Sequence, residues 1–460
     1  MIRYSDLKYL SVPLPEDVAK LKGFGDFARM ERVIDLKLNK PGVPECLKKR
    51  LELEKEIIRL MPDNYPYDFD TALGMLREAF GAFEPEELDA LRDTDAVDWA
   101  YIGGQVHFKD DFLPNLIKTR SAFADRLLPE KRLEFLPNTD TLLADTVRKM
   151  IAQGGMSMRF TVRHELKITN PRRDEKVRVW LPIPKEYAQC RNVKITALSH
   201  EDGVISPDTA PQRTVYFEAP ARADKPFFVE YTFETHNPYI EPKAEDVLDW
   251  QPTFYTEEYP PHILFTPYLR MLAGEIVGQE RNPLLKARKI YDFITTKCTY
   301  SYMREYITMP QIPEYMASSM KGDCGVQALL FITLCRICKI PARWQSGIYV
   351  KPYDVGSHDW AQFYVEPYGW LFADCSFGGS AYRKGDLQRW NFYFGNLEPY
   401  RMPANSEYQH DFRNAPVYPR RDPYDNQTGE AEYESGPVPV CDMEKTRTII
   451  EYSEIPGGLV

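Results

Sequence analysis

The stretch 324–338 constrains this chain most. From Cys324 to Cys338 only Gln327, Thr333 and Arg336 are strongly polar. A helix that is apolar on nearly every side has to be surrounded by protein. Gly322 and Asp323 interrupt the structure before it, and Pro341 stops it. Cys324 therefore falls in the first turn of a buried central helix. The longest apolar run, Ala328 to Leu334, is interrupted by Thr333 and lies far below the ~18–20 residues of a membrane span. A chain of 460 residues, at ~100–200 residues per domain, predicts two to four domains around this helix. Hydrophobic residues at 43% and aromatics at 13% supply the core and exclude wholesale disorder.

Charge narrows the partners. With 58 Lys and Arg against 68 Asp and Glu, the net charge is −10. That balance argues against nucleic acid, whose affinity rests on clustered basic residues, and against a membrane-surface helix. Eight cysteines in a chain this long make no disulfide framework. Residues Met1 to Asp6 carry no apolar signal core. The expectation is a reducing, cytoplasmic setting with free thiols.

The chain divides into four parts. Residues 1–155 read as a helical accessory domain. Pro15-Glu16-Asp17, Pro44, Thr71–Phe83 and Pro85-Glu86-Glu87 mark helices, with later ones near 111–127 and 138–152. This part is either a plain scaffold or a lid over an active site. Residues 156–242 change to period 2, as in Val177, Val179 and Leu181. With turns at Asn170-Pro171, Asp202-Gly203 and Ser206-Pro207 they predict an antiparallel β-sandwich. Its first strand, Phe160 to Ile168, reads with a phase slip near Glu165. Residues 243–400 mix both periods and carry the chemistry. Residues 401–460 read as an extended segment packing on the core, with one strand near Ile449–Tyr452, or as a disordered tail.

Position gives Cys324 a chemical consequence. First-turn N–H groups lack intrahelical partners, and the positive end of the helix dipole favours a thiolate. The same N–H groups suit an oxyanion. The plain alternative is a small buried cysteine. Downstream, His358 opens a strand pattern through Val365, Glu366 to Gly369 form a turn, and a second strand ends at Asp374. A cysteine at a helix start, a histidine and an aspartate supply a nucleophile, a base and an orienting carboxylate. A two-residue loop at Pro367-Tyr368 would put His358 and Asp374 on opposite faces. A three-residue loop restores one face but offsets them along the strands.

Gly322-Asp323-Cys324, Ile340-Pro341-Ala342-Arg343, Gly347, His358-Asp359-Trp360, Gly369-Trp370 and Asp374 together resemble the conserved core of the transglutaminase-like superfamily, of the bacterial multidomain type. The resemblance covers roughly 255–378. It implies an α+β fold with a papain-like core, here preceded by the β-sandwich and the helical domain. It also implies catalytic roles for Cys324 (nucleophile), His358 (general base) and Asp374 (orienting acid). The expected activity is thiol-dependent acyl transfer on a peptide or protein substrate, by hydrolysis or by transfer to an amine. A non-catalytic scaffold is the competing class. Tyr302, Gln311 and Tyr315 stand as candidates for the oxyanion side chain. No cofactor or metal is implied: Cys335 and Cys338 lack a second pair for zinc, and the histidines show no paired spacing. Cys375 is expected on the strand face opposite Asp374. The run Trp390 to Gly395 reads as a cleft lining or a buried strand.

Overall fold

The computed structural model describes residues 4–135, 141–172 and 175–457. Helices Glu16–Gly23, Phe27–Leu38, Glu45–Asn64, Phe69–Phe80 and Pro85–Asp93 form in the amino-terminal part. Their starts follow local chemistry. Asp26 and Asp68 accept hydrogen bonds from Arg29 N and Thr71 N, while Pro15 and Pro44 precede their helices. Phe112–Thr119, Ser121–Arg126 and Leu142–Gln153 occupy the later predicted stretches, and 138–140 fall outside the described residues. Between them lies an antiparallel sheet of Tyr67–Asp68, Gln105–Phe108 and Trp99–Ile102, which the helical reading did not contain. Its hairpin turns on Gly103 and Gly104, both at positive φ, where glycine is favoured.

The sandwich has two layers. One sheet runs Met443–Glu454, Gly155–Ile168, Phe227–Pro238, Cys190–Leu198. The other runs Gly436–Pro437, Glu430–Tyr433, Lys176–Pro182, Thr214–Pro220, Val204–Ile205. Phe160, Val162, His164, Leu166 and Ile168 are all buried, so the alternation passes Glu165 without a slip. His164, although polar, holds an inward position. The carboxy-terminal segment contributes an edge to both sheets rather than only packing on the core.

The core is a five-stranded antiparallel sheet. Its order is Phe394–Gly395, Gly369–Ala373, Asp354–Val365, Ala342–Lys351, Arg401–Asn405. Helix Cys324–Ile337 packs on it, with Phe331 edge-on to Phe363 at 5.8 Å between ring centres. Helices Pro283–Lys297, Ile312–Ser319 and Cys375–Arg383 surround that helix. Every residue from Gly325 to Arg336 is buried, as its composition requires. Two local readings change. Cys375 is not on a strand; it starts a helix capped by Asp374. Half of the aromatic run 390–395 lies in helix Leu387–Phe392, where Trp390 donates to Thr295 Oγ1 and packs on Tyr291, and its end, Phe394–Gly395, is a buried strand.

Candidate active site

Cys324 is the first residue of the central helix, and its neighbours leave little freedom. Asp323 caps the helix: its Oδ1 accepts from Val326 N at 3.0 Å and from Tyr306 Oη at 2.5 Å. Gln327 Nε2 donates to Gly322 O at 2.8 Å. Gly325 must be glycine, because a Cβ there would sit 2.3 Å from Tyr306 Oη and 2.8 Å from Asp359 Oδ2. The Cys324 thiol is half-buried and donates to Asp359 Oδ2 at 3.3 Å.

That partner overturns one expectation. Burial pushes the Cys324 thiol well above its ordinary pKa, and the Asp359 and Asp323 carboxyls push it further. Asp323 already answers the helix N-terminus, and carboxyls rather than a cation surround the sulfur, so the dipole does not produce a resting thiolate. Asp359 is likewise raised well above the carboxylate range, first by burial and then by the Asp425 carboxyl. Gln427 Nε2 donates to Asp359 Oδ1 and to His358 O. Sequence reasoning missed Asp359, Asp425 and Gln427. Asp359 stood inside the quoted His358-Asp359-Trp360 motif, whereas nothing in the local pattern marks the other two.

His358 and Asp374 do meet: Nε2 lies 2.7 Å from Oδ2. The hairpin loop is three residues, Glu366 to Tyr368, since Val365 pairs with Gly369 and Ala361 with Ala373. Asp374 then takes the position opposite Trp360, diagonal to His358 on the same face, a separation that two side chains can bridge. No bulge is needed between these strands. Asp374 both caps and orients. Its Oδ1 accepts from Phe377 N at 2.9 Å and Ser376 Oγ at 3.2 Å, while its Oδ2 faces His358. Arg401, wholly buried, places Nη2 3.0 Å from Asp374 Oδ2 and 2.9 Å from Glu398 Oε1. Burial alone would raise Asp374, but His358 and Arg401 hold it below the ordinary carboxylate value. Burial lowers His358 despite Asp374, so the imidazole is neutral near pH 7. Phe377 and Trp360 enclose the ring at 4.6 and 5.8 Å between centres. Among the described residues no hydrogen bond joins Cys324 to His358.

The oxyanion candidates are placed differently from one another. Gln311 Nε2 donates to Pro261 O at 3.0 Å, which engages its amide elsewhere. Tyr315 lies beside Arg304, 5.4 Å from its ring centre. Tyr302 Oη accepts from Lys118 Nζ at 3.0 Å. Lys118 belongs to helix Phe112–Thr119 of the amino-terminal part, whose Asn115 also bonds Ser301 Oγ and Tyr302 N. That helix therefore grips the loop beside the site. The Lys118 charge also reaches His358 and lowers it slightly further.

A buried cysteine-tipped helix laid against a sheet that carries a His–Asp pair is the layout of a papain-like core. The family model described as the transglutaminase-like superfamily matches residues 270–375, which contain Cys324, His358 and Asp374. That match covers about a quarter of a chain whose fold is mixed α and β. It is similar to a crystal structure described as a "putative cysteine protease" from Cytophaga hutchinsonii. Identity there is 14%, over 64% of this chain and 91% of that one, with a TM-score of 0.40. It is also similar to the periplasmic domain of TgpA from Pseudomonas aeruginosa, at 12% identity over 53% and 94%, with a TM-score of 0.27. No curated protein matches. Among the described residues no helix is long and apolar enough to cross a membrane, and no group of His, Cys, Asp or Glu is arranged to hold a metal.

Proposed function

We propose that this protein is a thiol-dependent acyl-transfer enzyme that hydrolyses an amide bond of a peptide or protein substrate through a thioester on Cys324. One observation carries the reading: a buried His358–Asp374 pair, 2.7 Å apart and braced by Arg401, in the same core as a half-exposed cysteine at a helix tip. With Nε2 engaged by Asp374, the other ring nitrogen, Nδ1, is the one that serves the thiol. On substrate entry the Sγ–H proton passes to Nδ1, and the sulfur electron pair attacks the carbonyl carbon. The C–N bond then breaks as His358 returns the proton to the leaving amine, and water cleaves the thioester. Asp374 keeps the imidazole in the required tautomer and stabilises its cationic form. Thiol and imidazole begin neutral, so attack needs proton transfer in the transition state rather than a standing ion pair.

Hydrolysis is preferred over amine transfer because Cys324 is half-exposed, and a transferase has to exclude water. A scaffold with an inert site is the second reading, and the Cys324–Asp359 contact favours it. Acylated peptides incubated with the protein, followed by intact-mass detection, decide. A thioester adduct on the wild type that is absent from Cys324→Ala supports the enzyme; none under any acyl donor supports the scaffold. Incorporation of a fluorescent amine above the Cys324→Ala background would replace hydrolysis with transfer.

A further inference from the structure

The acidic surroundings of the sulfur are not used by the reaction above, and they are unusually well built. Asp359 Oδ2 receives the thiol, and its Oδ1 receives Gln427. Behind it stands Asp425, 5% exposed, with Oδ2 lacking any hydrogen-bond partner. The segment that delivers Asp425 and Gln427 is pinned by Arg420. Its guanidinium meets Glu430 Oε1 at 2.7 Å and the carbonyls of Asp425, His410 and Pro423. Asn426 fastens the same turn from inside, donating to Trp180 O and accepting from Gly429 N. A carboxyl is thus pressed onto the nucleophile by a stretch of chain remote in sequence and anchored to the sandwich.

We propose that Asp359 is a positioning residue that parks the Cys324 thiol: backed by Asp425 and Gln427, it holds the sulfur protonated and directed away from His358 until a substrate displaces the contact. This rests on the acyl-transfer reading only for the identity of the reaction it restrains. The parked state moves no proton. The Sγ–H bond stays intact, and turning the thiol off Asp359 is what lets His358 take the proton. Other groups face the sulfur as well: Asp323 from its own helix cap, and Tyr300 and Tyr306 from the preceding segment. Lys109, from the amino-terminal part, acts on Asp323 and lowers it. The tyrosines are themselves pushed up by burial and stay neutral, so Asp359 is the group whose removal changes the balance most.

The test measures iodoacetamide labelling of Cys324 against pH, read by peptide mass mapping so that exposed Cys46 and Cys441 do not interfere. Asp359→Ala and Asp359→Asn should each label Cys324 at least about tenfold faster at pH 7, with the midpoint of the rate profile moved to lower pH. Gln427→Ala, which touches the carboxyl only from outside, should shift the profile the same way by less. It keeps the question open to refutation if the Asp359 variants do not fold. Profiles within twofold of the wild type in every folded variant would overturn the proposal. Thioester trapping on the same proteins separates the two claims. Faster labelling without any adduct rejects acyl transfer and leaves the parking contact standing; an adduct with unchanged labelling does the reverse.

Discussion

The two halves of the site handle charge differently. Around His358, each carboxylate has a cation: Asp374 and Glu398 share Arg401, and Asp374 is held below its usual value. Around Cys324, Asp359, Asp425 and Asp323 crowd together, and all three are raised, chiefly by burial. In the first pocket Arg401 and His358 hold Asp374 low although burial raises Glu398, while in the second all three carboxyls are raised. The comparison teaches that His358 is braced by a carboxyl with its own cation, whereas Cys324 is faced by carboxyls alone. A single pKa argument drawn from the helix dipole could not have distinguished them.

The largest expected effect breaks the first pocket. Asp374→Asn should lower the rate of acyl-enzyme formation by about 10³–10⁴-fold, because the wrong imidazole tautomer is favoured. Stopped-flow thioester formation measures this, and a loss under tenfold would show that Asp374 is chiefly a helix cap. Arg401→Met should cost about 3–5 kcal/mol in urea unfolding, since the buried Asp374 and Glu398 carboxyls would lose the guanidinium they share. A cost below about 1 kcal/mol would mean the pocket is not held by charge.

The second pocket gives smaller effects of its own sign. The folded pKa of Asp323 is raised from 3.8 to about 6, first by burial, so the native state binds more protons than the unfolded chain between those values. Stability therefore falls as pH rises through that window. Asp323→Asn keeps a capping side chain and removes the titration. Unfolding free energies at pH 4, 5, 6 and 7 should show this downward step in the wild type and a flatter profile in the variant. Smallest is Tyr306→Phe, which removes the 2.5 Å hydrogen bond to Asp323 and should cost about 1–2 kcal/mol in the same assay.

Much of this was legible in the sequence, for physical reasons that can be named. Helix Cys324–Ile337 announced itself because burial on all sides demands apolar residues at every phase, and Asp323 marked its start. The sandwich strands showed because one face of each meets a core. What escaped reading depends on contacts between distant segments. Arg401 sits in a strand, Arg401–Asn405, that belongs to the core sheet although the composition changes at residue 400. Asp425 and Gln427 lie in a Pro- and Asn-rich stretch that has no period to read. The hairpin Trp99–Phe108 was readable from Gly103-Gly104, but it is surrounded by helical signals. The hairpin register near Asp374 was the reverse case: parity alone required an odd loop, and the backbone supplied one.

One arrangement has a consequence for how the molecule comes into being. Strand Met443–Glu454 pairs along Gly155–Ile168, and Glu430–Tyr433 pairs with Lys176–Pro182, so both layers of the sandwich wait for chain made much later. The turn carrying Asp425 and Gln427 is tied to that closure through Asn426. During synthesis, Cys324 and Asp359 emerge well before the segment that backs Asp359, and ordering by such long loops is slow. A ribosome-bound chain stopped short of residue 425 would carry Asp359 without the Gln427 hydrogen bond behind it, and completing translation is what adds that support.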